Sequence, residues 1–524
     1  MKNCSNIIPL CIAVLGLFCS CSNEGKIIEE GNVSYRIISG QAYAIGIVHP
    51  SDIITLSGKV HGYSVVGIAD SAFTNERCLE KVIIKEGIKS LGNYSFARCT
   101  NLKKVILPNS LETIDIGTFK DCKSLCNITL PDSLIHINDS AFFNAALRII
   151  SFPFNLKRIG KYAFAETSLC GVNLFFPNNL TSIGDGAFSE NNFGSIVLPE
   201  SIDSIGKYAF YGRINSDIYI PEHVSYIGEV AFGSCDVNNI YLSPNIKNYV
   251  IVGGCLLSKD YKSLISISKS AIKNGMIEIP NGVEIIPEYG IHLRDDVKRV
   301  TKIILPNTLK KISRHSFYYY YEENIKELYI PSSVDYIEED AFYGNIPSIS
   351  FKVDSKNQYY SSEKGVLYDK CKTRLIKYPM YKADYTFIIP SSVKSIEMEA
   401  FEECLYLETL NTNQVKKIPS NTCRYCENLQ YVICPSVDSI MSNAFDSFNK
   451  FFYCVLGEDI KYINGNAIDW DTNSLTCYAS TPPYIDGDKI AVNDGCRLII
   501  PANSLYLYQR DEKWSKFLHI ETLP

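Results

Sequence analysis

Between Asn101 and Cys122 the positions that recur as apolar are Leu102, Val105, Leu107, Leu111, Ile114 and Phe119, with polar or charged residues filling most of the intervals. Val105 and Leu107 are two apart, so on a strand they face the same way. Pro108 has no N–H to give to a ladder, so the strand ends there. Leu111, Ile114 and Phe119 supply a second apolar edge on the return path. The pattern predicts one coil: a short strand, a corner and a return segment. A single coil cannot cover its own apolar side chains. Copies stacked on both sides would do so, which is the logic of a solenoid.

The same register recurs along the chain. A proline followed at +3 by Val, Ile or Leu, at +6 by Ile and at +11 by Phe occurs at Pro108, Pro131, Pro153, Pro177, Pro199, Pro221, Pro306, Pro331 and Pro390. Pro280 fits with Ile291 in place of Phe. The first eight ring positions are Phe73, Phe96, Phe119, Phe142, Phe164, Phe188, Phe210 and Phe232, at steps of 23, 23, 23, 22, 24, 22 and 22 residues. This predicts an α/β repeat fold, a leucine-rich-repeat solenoid of about 22–23-residue coils with a parallel sheet.

Breaks in the pattern divide the chain. Residues 33–63 alternate apolar with small or polar residues and carry Gly40, Gly46, Gly58 and Gly62, which predicts a β-rich cap over the first coil. Residues 22–32 before it read as a polar tether. Repeats fill 64–244, 277–350 and 386–478. The template fails at 245–276 and again at 351–385, and both stretches share the form G-x-L-(Y/L)-x-K followed by L-I-x-(Y/I). They read as one β-hairpin module inserted twice. In the C-terminal cap, 479–524, Cys496 to Pro501 is one last strand. Ser504 to Phe517 is a short helix packing Leu505, Tyr508, Trp514 and Phe517 over the final coil.

These units, the hairpin insertions and the ending Thr481-Pro482-Pro483, then Ile500-Pro501, Tyr508 and Trp514-x-x-Phe517 resemble the BspA-like leucine-rich-repeat family of bacterial cell-surface proteins. The resemblance covers nearly the whole mature chain. It implies an elongated, curved solenoid with a parallel sheet along one face. It also implies roles in adhesion and in binding host or partner proteins, although a fold does not by itself assign a function.

Composition changes this picture in few places. The chain has 524 residues, too many for one ordinary globular core, but a repeat array grows in one dimension. Net charge is −6 and no basic run is visible, which argues against a nucleic-acid partner. At the N-terminus, Lys2 precedes an apolar run from Ile7 to Phe18, too short to span a bilayer but suited to a secretion signal. The run ends in Cys19-Ser20-Cys21, which resembles a bacterial lipobox with Phe18 where Leu is commoner. On that reading residues 1–21 carry the lipoprotein signal, Cys21 is lipidated, and the product is an outer-membrane lipoprotein, exposed at the cell surface and held to the membrane by its lipid alone. The plainer reading is ordinary cleavage near Ser20 and a soluble product.

The 19 cysteines do not space like a disulfide scaffold. Cys99, Cys122, Cys235, Cys404 and Cys426 each sit three residues after the ring position, where other copies have Ala145, Thr167, Asn191 and Asn345. A row of buried thiols inside the turn explains them. Cys423-x-x-Cys426 imitates a redox or zinc motif, but Cys423 replaces the repeat Phe and Cys426 is the row cysteine. Asp469-x-Asp471-x-Asn473 begins like a calcium loop and lacks the Gly and Glu that complete one. The seven histidines are scattered, and no nucleophile elbow, P-loop or dinucleotide fingerprint appears. The sequence thus points to no catalytic residue, metal or cofactor.

The candidate binding surface is the outward strand position between the two core residues. It carries Ile83, Ile106, Thr129, Ser151, Asn173, Val197, Tyr219, Tyr241, Ile304, Tyr329, Ile388, Ile433 and Val455. Tyr219, Tyr241, Ile304 and Tyr329 are the contacts singled out for a protein partner, from a host or a neighbouring cell surface. The plainer reading is that exposed strand positions favour such residues anyway. Tyr318-Tyr319-Tyr320-Tyr321 is a second candidate, on the edge away from the strands. The surplus of Tyr (35) over Phe (25) keeps a glycan ligand open, and a periplasmic scaffold without an external ligand is a third possibility.

Overall fold

The computed structural model describes residues 25–233, 237–293, 300–319, 325–342, 350–445, 452–468, 473–487, 492 and 494–523. It divides into two compact units, the first made of residues up to 259 with 265–269, the second of 260–264 with 270–524. Each unit is a solenoid of stacked coils. Cys21, Cys235, Tyr320, Tyr321, Asn345, Asp469 and Asp471 lie outside the described residues.

In the first unit the coils build parallel ladders in which each strand pairs with its counterpart one coil on. Thr113–Ile114, His136–Ile137, Arg158–Ile159, Ser182–Ile183, Ser204–Ile205 and Tyr226–Ile227 form one such ladder, with isoleucine facing isoleucine throughout. The template proline sets the corner before it. The N–H of Leu111 donates to the carbonyl of Pro108, and Leu134, Leu156, Leu180 and Ile202 repeat this with Pro131, Pro153, Pro177 and Pro199. The ring positions stack into a column from Phe73 to Phe232, with neighbouring centroids 5.0–5.8 Å apart and planes within 18° of parallel. Each such pair adds about 0.5–1.5 kcal/mol beyond its burial.

The side of the coil away from the strands carries turns. The residue two before each ring lies in the left-handed region: Tyr94 at φ 55°, Gly117 at 59°, Tyr162 at 52°, Gly186 at 58° and Tyr208 at 56°. The ring of Tyr94 lies over Gly117, where a Cβ would come within 2.4 Å of it, and the ring of Tyr162 lies over Gly186 in the same way. At these two steps the tyrosine ring leaves room only for glycine in the next coil, whereas Tyr208 is followed there by Val230, also at positive φ.

The N-terminal cap is a five-stranded sheet in the order Ile27–Glu30, Val33–Ile38, Gln41–Ile47, Tyr63–Ile68, Lys59–Val60. Its first strand corrects the expected tether: Ile27–Glu30 pairs antiparallel with Val33–Ile38, and Ile28 is buried. The polar letters of that stretch hide one inward isoleucine and a Gly31–Asn32 turn with both residues at positive φ.

The insertion of the first unit is a hairpin, Tyr249–Val252 antiparallel to Cys255–Ser258 across Gly253-Gly254. In the second unit Tyr360–Glu363 pairs antiparallel with Val366–Asp369 across Lys364-Gly365. Both loop residues have positive φ in each case, the geometry that matches the twist of a two-residue hairpin. The first residues of the second segment are not hairpin: Ser350–Val353 is still a coil strand, parallel to Glu327–Ile330.

The second unit ends in a seven-stranded parallel sheet: Thr386–Ile388, Thr409–Asn411, Tyr431–Cys434, Tyr453–Leu456, Ser474–Cys477, Arg497–Pro501 and His519–Leu523. The expected terminal helix is shorter than its pattern. It runs only from Leu505 to Arg510, because Asp511 turns extended and its carboxylate accepts the N–H groups of Lys513 and Trp514. Tyr508, Trp514 and Phe517 still bury over the last coil, and the Trp514 indole donates to the Pro483 carbonyl at 2.7 Å. The chain then returns as a further strand, His519–Leu523, beside Arg497–Pro501.

Candidate functional site

On the first unit the outward strand positions form an exposed row. Tyr219 and Tyr241 are direct partners in the parallel pairing of Ile218–Ile220 with Ile240–Leu242, and they are 47% and 51% exposed. Ile218, Ile220 and Ile240 face the other way and are buried. Val197 occupies the same position one coil earlier and is also exposed.

Asn173 does not hold that position in its own coil. The coil carries an extra residue, and the core takes Leu174 and Phe176, the latter against Phe188 and Phe210. Phe175 is thereby turned outward, paired with Val197 and 65% exposed, while Asn173 pairs with Ser195 and accepts its hydroxyl proton at 2.9 Å. The row therefore runs Phe175, Val197, Tyr219, Tyr241. The 24-residue step between Phe164 and Phe188 was the available sign of the shift.

On the second unit Ile304 is half-buried at the end of Lys302–Ile304, opposite Glu278. Tyr329 is exposed in Glu327–Ile330, and its hydroxyl donates to Asp354 at 2.7 Å. That hydrogen bond holds the phenol proton and raises the Tyr329 pKa, while Asp354 is lowered first by the backbone N–H of Lys356 and then by the phenol. Ile388, Ile433 and Val455 share the outward face of the seven-stranded sheet. Beside them Tyr431 and Tyr453 stack face to face, centroids 4.9 Å apart, and Arg497 pairs in bidentate fashion with Glu521 at 2.7 and 2.8 Å. Tyr431 and Tyr453 were missed because they sit two residues before the template's outward position. Of the tyrosine run, Tyr318 and Tyr319 belong to a strand parallel to Ile291–Leu293.

The cysteine row is structural. The Cys99 thiol donates to the Phe73 carbonyl at 3.0 Å, Cys122 to Phe96 at 3.2 Å and Cys426 to Phe401 at 2.9 Å. Asn191 does the same to Phe164 through its side-chain amide at 2.8 Å. At Cys99, Cys122, Asn191 and Cys426 the position thus supplies a small donor to the ring residue of the preceding coil, while Ala145 fills it without one and Thr167 bonds to Phe164 of its own coil. Burial pushes the Cys99 and Cys434 thiols up to about 12, so they stay protonated and unreactive at neutral pH. Cys99, Cys122, Cys404, Cys423, Cys426 and Cys434 form no disulfide. Cys423 and Cys426 are fully buried beside Cys404, and burial raises the Cys404 and Cys423 thiols well above the usual value. Among the described residues no three His, Cys, Asp or Glu side chains are placed to hold a metal ion, and no helix is long and apolar enough to cross a membrane.

Comparison with known proteins agrees with this architecture. The family described as BspA type leucine rich repeat region matches residues 66–175, 137–252, 266–380 and 376–477. No curated protein matches the chain. Among solved structures, the chain is similar to a leucine-rich cell surface protein from Faecalibacterium prausnitzii, at 16% identity over 96% of both chains with a TM-score of 0.34. It is similar to a leucine-rich repeat protein from Bacteroides ovatus at 18% identity, over 83% of this chain and 94% of that one, with a TM-score of 0.37. A third is the pneumococcal vaccine antigen PcpA, at 14% identity over 95% of this chain and 99% of that one, with a TM-score of 0.37.

Proposed function

The chain belongs to the BspA-type leucine-rich-repeat family, and from that premise we propose that it is a non-catalytic, surface-exposed outer-membrane lipoprotein that binds a protein partner. Proteins of this kind are generally non-catalytic interaction modules that bind other proteins. Cys21 carries the lipid, and the exposed sheet faces make the contact. Tyr219 and Tyr241 act on the first unit, and Ile304 and Tyr329 on the second.

One observation supports this placement best. Phe175, Val197, Tyr219 and Tyr241 put four exposed apolar or aromatic side chains at one position of successive coils. Tyrosine and other aromatics are enriched where proteins meet, because a rigid ring buries a large area at low entropic cost. The strands beneath are held by the ladder, so the row is pre-organised and loses little freedom on binding.

Two measurements test the proposal. Protease shaving of intact cells, read by blotting, should remove the protein, and intact mass of the membrane fraction should show an acylated Cys21 as first residue. Full protection until lysis, or a mature protein without acyl mass, would refute surface display or the anchor. The double variant Tyr219→Ser/Tyr241→Ser should keep its circular dichroism and lose a cell-surface protein that the unchanged chain captures. Equal capture would move the site elsewhere, and saturable binding to a glycan array in place of capture would replace the protein partner with a sugar.

A further inference from the structure

The seven-stranded sheet of the second unit ends on a strand with one free edge. His519–Leu523 pairs in parallel with Arg497–Pro501 on one side, and no described strand lies on the other. A free edge is a row of unpaired backbone donors and acceptors, ready to accept a further strand. The N-terminal cap treats its own edges differently. One is the two-residue strand Lys59–Val60, and the other, Ile27–Glu30, carries exposed Glu29 and Glu30. Shortness and charge of that kind blunt an edge. His519–Leu523 has five residues, with neither proline nor lysine among them.

Apolar residues lie exposed around the same end. Ile520 stands opposite Leu498 and Thr522 opposite Ile500, and both of those partners are buried, so Ile520 and Thr522 follow the core-facing parity of the strand. Leu518, just before the strand, has the same parity. No further coil covers these positions: Leu518 is 67% exposed, and Ile520 is only partly buried against the core. The terminal helix packs on the last coil through Tyr508 and leaves Tyr506 and Leu507 exposed. His519 and Glu521 lie on the other face of the strand, both exposed. The hydrogen bonds from Arg497 hold the Glu521 carboxyl below the usual carboxylate range, so it stays charged.

This strand is complementary to itself. Set antiparallel to an identical strand about a two-fold axis at Ile520, it places Ile520 against Ile520 of the second copy, His519 against Glu521 and Leu518 against Thr522. An imidazole N–H then meets a carboxylate on the solvent face, while apolar groups meet on the core face, and the symmetry makes each unlike pair occur twice. Moving the axis to Glu521 would set two carboxylates face to face, which selects the Ile520 register. We propose that the chain forms a two-fold dimer in which His519–Leu523 pairs antiparallel with the same strand of a second copy, so that two seven-stranded sheets become one. One strand pair with Tyr506, Leu507 and Leu518 at its flank belongs to the small class of interface, below about 1,200 Å² in total. The dimer therefore dissociates on dilution. It uses none of Tyr219, Tyr241, Ile304 and Tyr329, and stands apart from the protein-binding reading above.

The test is analytical ultracentrifugation of the full mature chain, made without its lipid, over a dilution series. The unchanged chain should pass from monomer to dimer with rising concentration and stop at two, because a two-fold contact closes on itself. Leu518→Asp/Thr522→Asp puts like charges opposite each other at both ends of the strand pair. It should raise the dissociation constant at least roughly tenfold, since like charges across an interface are penalised. Leu518→Asp/Thr522→Lys changes the same two exposed side chains but sets opposite charges face to face in this register, and it should dimerise again. Both variants should keep the circular dichroism of the unchanged chain. A monomer at every concentration, open-ended growth beyond two, a dimer indifferent to Leu518→Asp/Thr522→Asp, or no recovery in Leu518→Asp/Thr522→Lys would each overturn the proposal.

Discussion

The hydroxyl of Tyr360 accepts the backbone N–H of Ile337 at 2.8 Å, in the place where the next coil's strand would have stood. The first unit repeats the arrangement: Tyr249, the first strand residue of its insertion, accepts the N–H of Ile227 at 2.5 Å. Each insertion interrupts a ladder, and each brings a phenol oxygen to the last donor left behind. At the N-terminal cap Tyr35 does the same for the N–H of Ser57, at 3.3 Å. An unpaired buried N–H is what a solenoid must avoid wherever its repeat is broken.

Tyr360→Phe should therefore destabilise the chain by about 1–3 kcal/mol, the cost of leaving a buried donor unmet. Tyr359→Phe next to it, on an exposed side chain, should change stability by less than about 0.5 kcal/mol. Urea unfolding of both variants checks this; equal midpoints would mean that the hydroxyl does not cap Ile337.

Gly117→Ala should cost about 1–3 kcal/mol, from the positive φ and from contact with the Tyr94 ring. In a Tyr94→Ala background only the backbone part, about 1 kcal/mol, should remain. A double-mutant cycle in thermal unfolding measures the difference. Strict additivity would show that the ring and the glycine are not coupled.

Cys122→Thr should be tolerated better than Cys122→Val by about 1–2 kcal/mol, although the side chains are similar in size. Threonine keeps a donor for the Phe96 carbonyl, as Asn191 does for Phe164, and valine does not. Comparing the two unfolding midpoints decides it; a more stable valine variant would make the row a matter of size alone.

Burial, with the charges of Glu402 and Asp340, raises the Glu399 carboxyl from 4.5 to about 7, against a smaller opposing effect of Lys377. The folded chain then binds this proton more tightly than the unfolded one. Its contribution is fully present below pH 4.5 and is lost as pH rises through 7. Glu399→Gln cannot titrate, so its stability relative to the unchanged chain should climb across that window, by on the order of 1–3 kcal/mol after solvent screening. Melting temperatures of both proteins from pH 5 to about 8 test the sign. A constant difference would place the titration on other carboxyls, such as Glu397 or Glu402.

The repeat was legible in the sequence because one-dimensional stacking makes every coil solve the same packing problem. Pro108, Ile114 and Phe119 recur with their spacing intact, and the Phe column, the proline corners and the thiol row follow from that spacing. The hairpins announced themselves as failures of the template, and the glycines at Gly253-Gly254 and Gly365 marked their loops. Other features depend on residues that no local pattern joins. Phe175 faces outward because Phe176 finds Phe188 and Phe210, a competition settled only in the packed core. Ile27–Glu30 is a strand because Val33–Ile38 offers it a ladder. Tyr360 reaches Ile337 only because a hairpin separates segments that the repeat would stack. The sequence by itself determined the coil, its register and its breaks, since those rest on periodic burial. Tertiary structure alone decided which side chains the breaks leave exposed or unpaired, since that depends on which neighbour is missing in space.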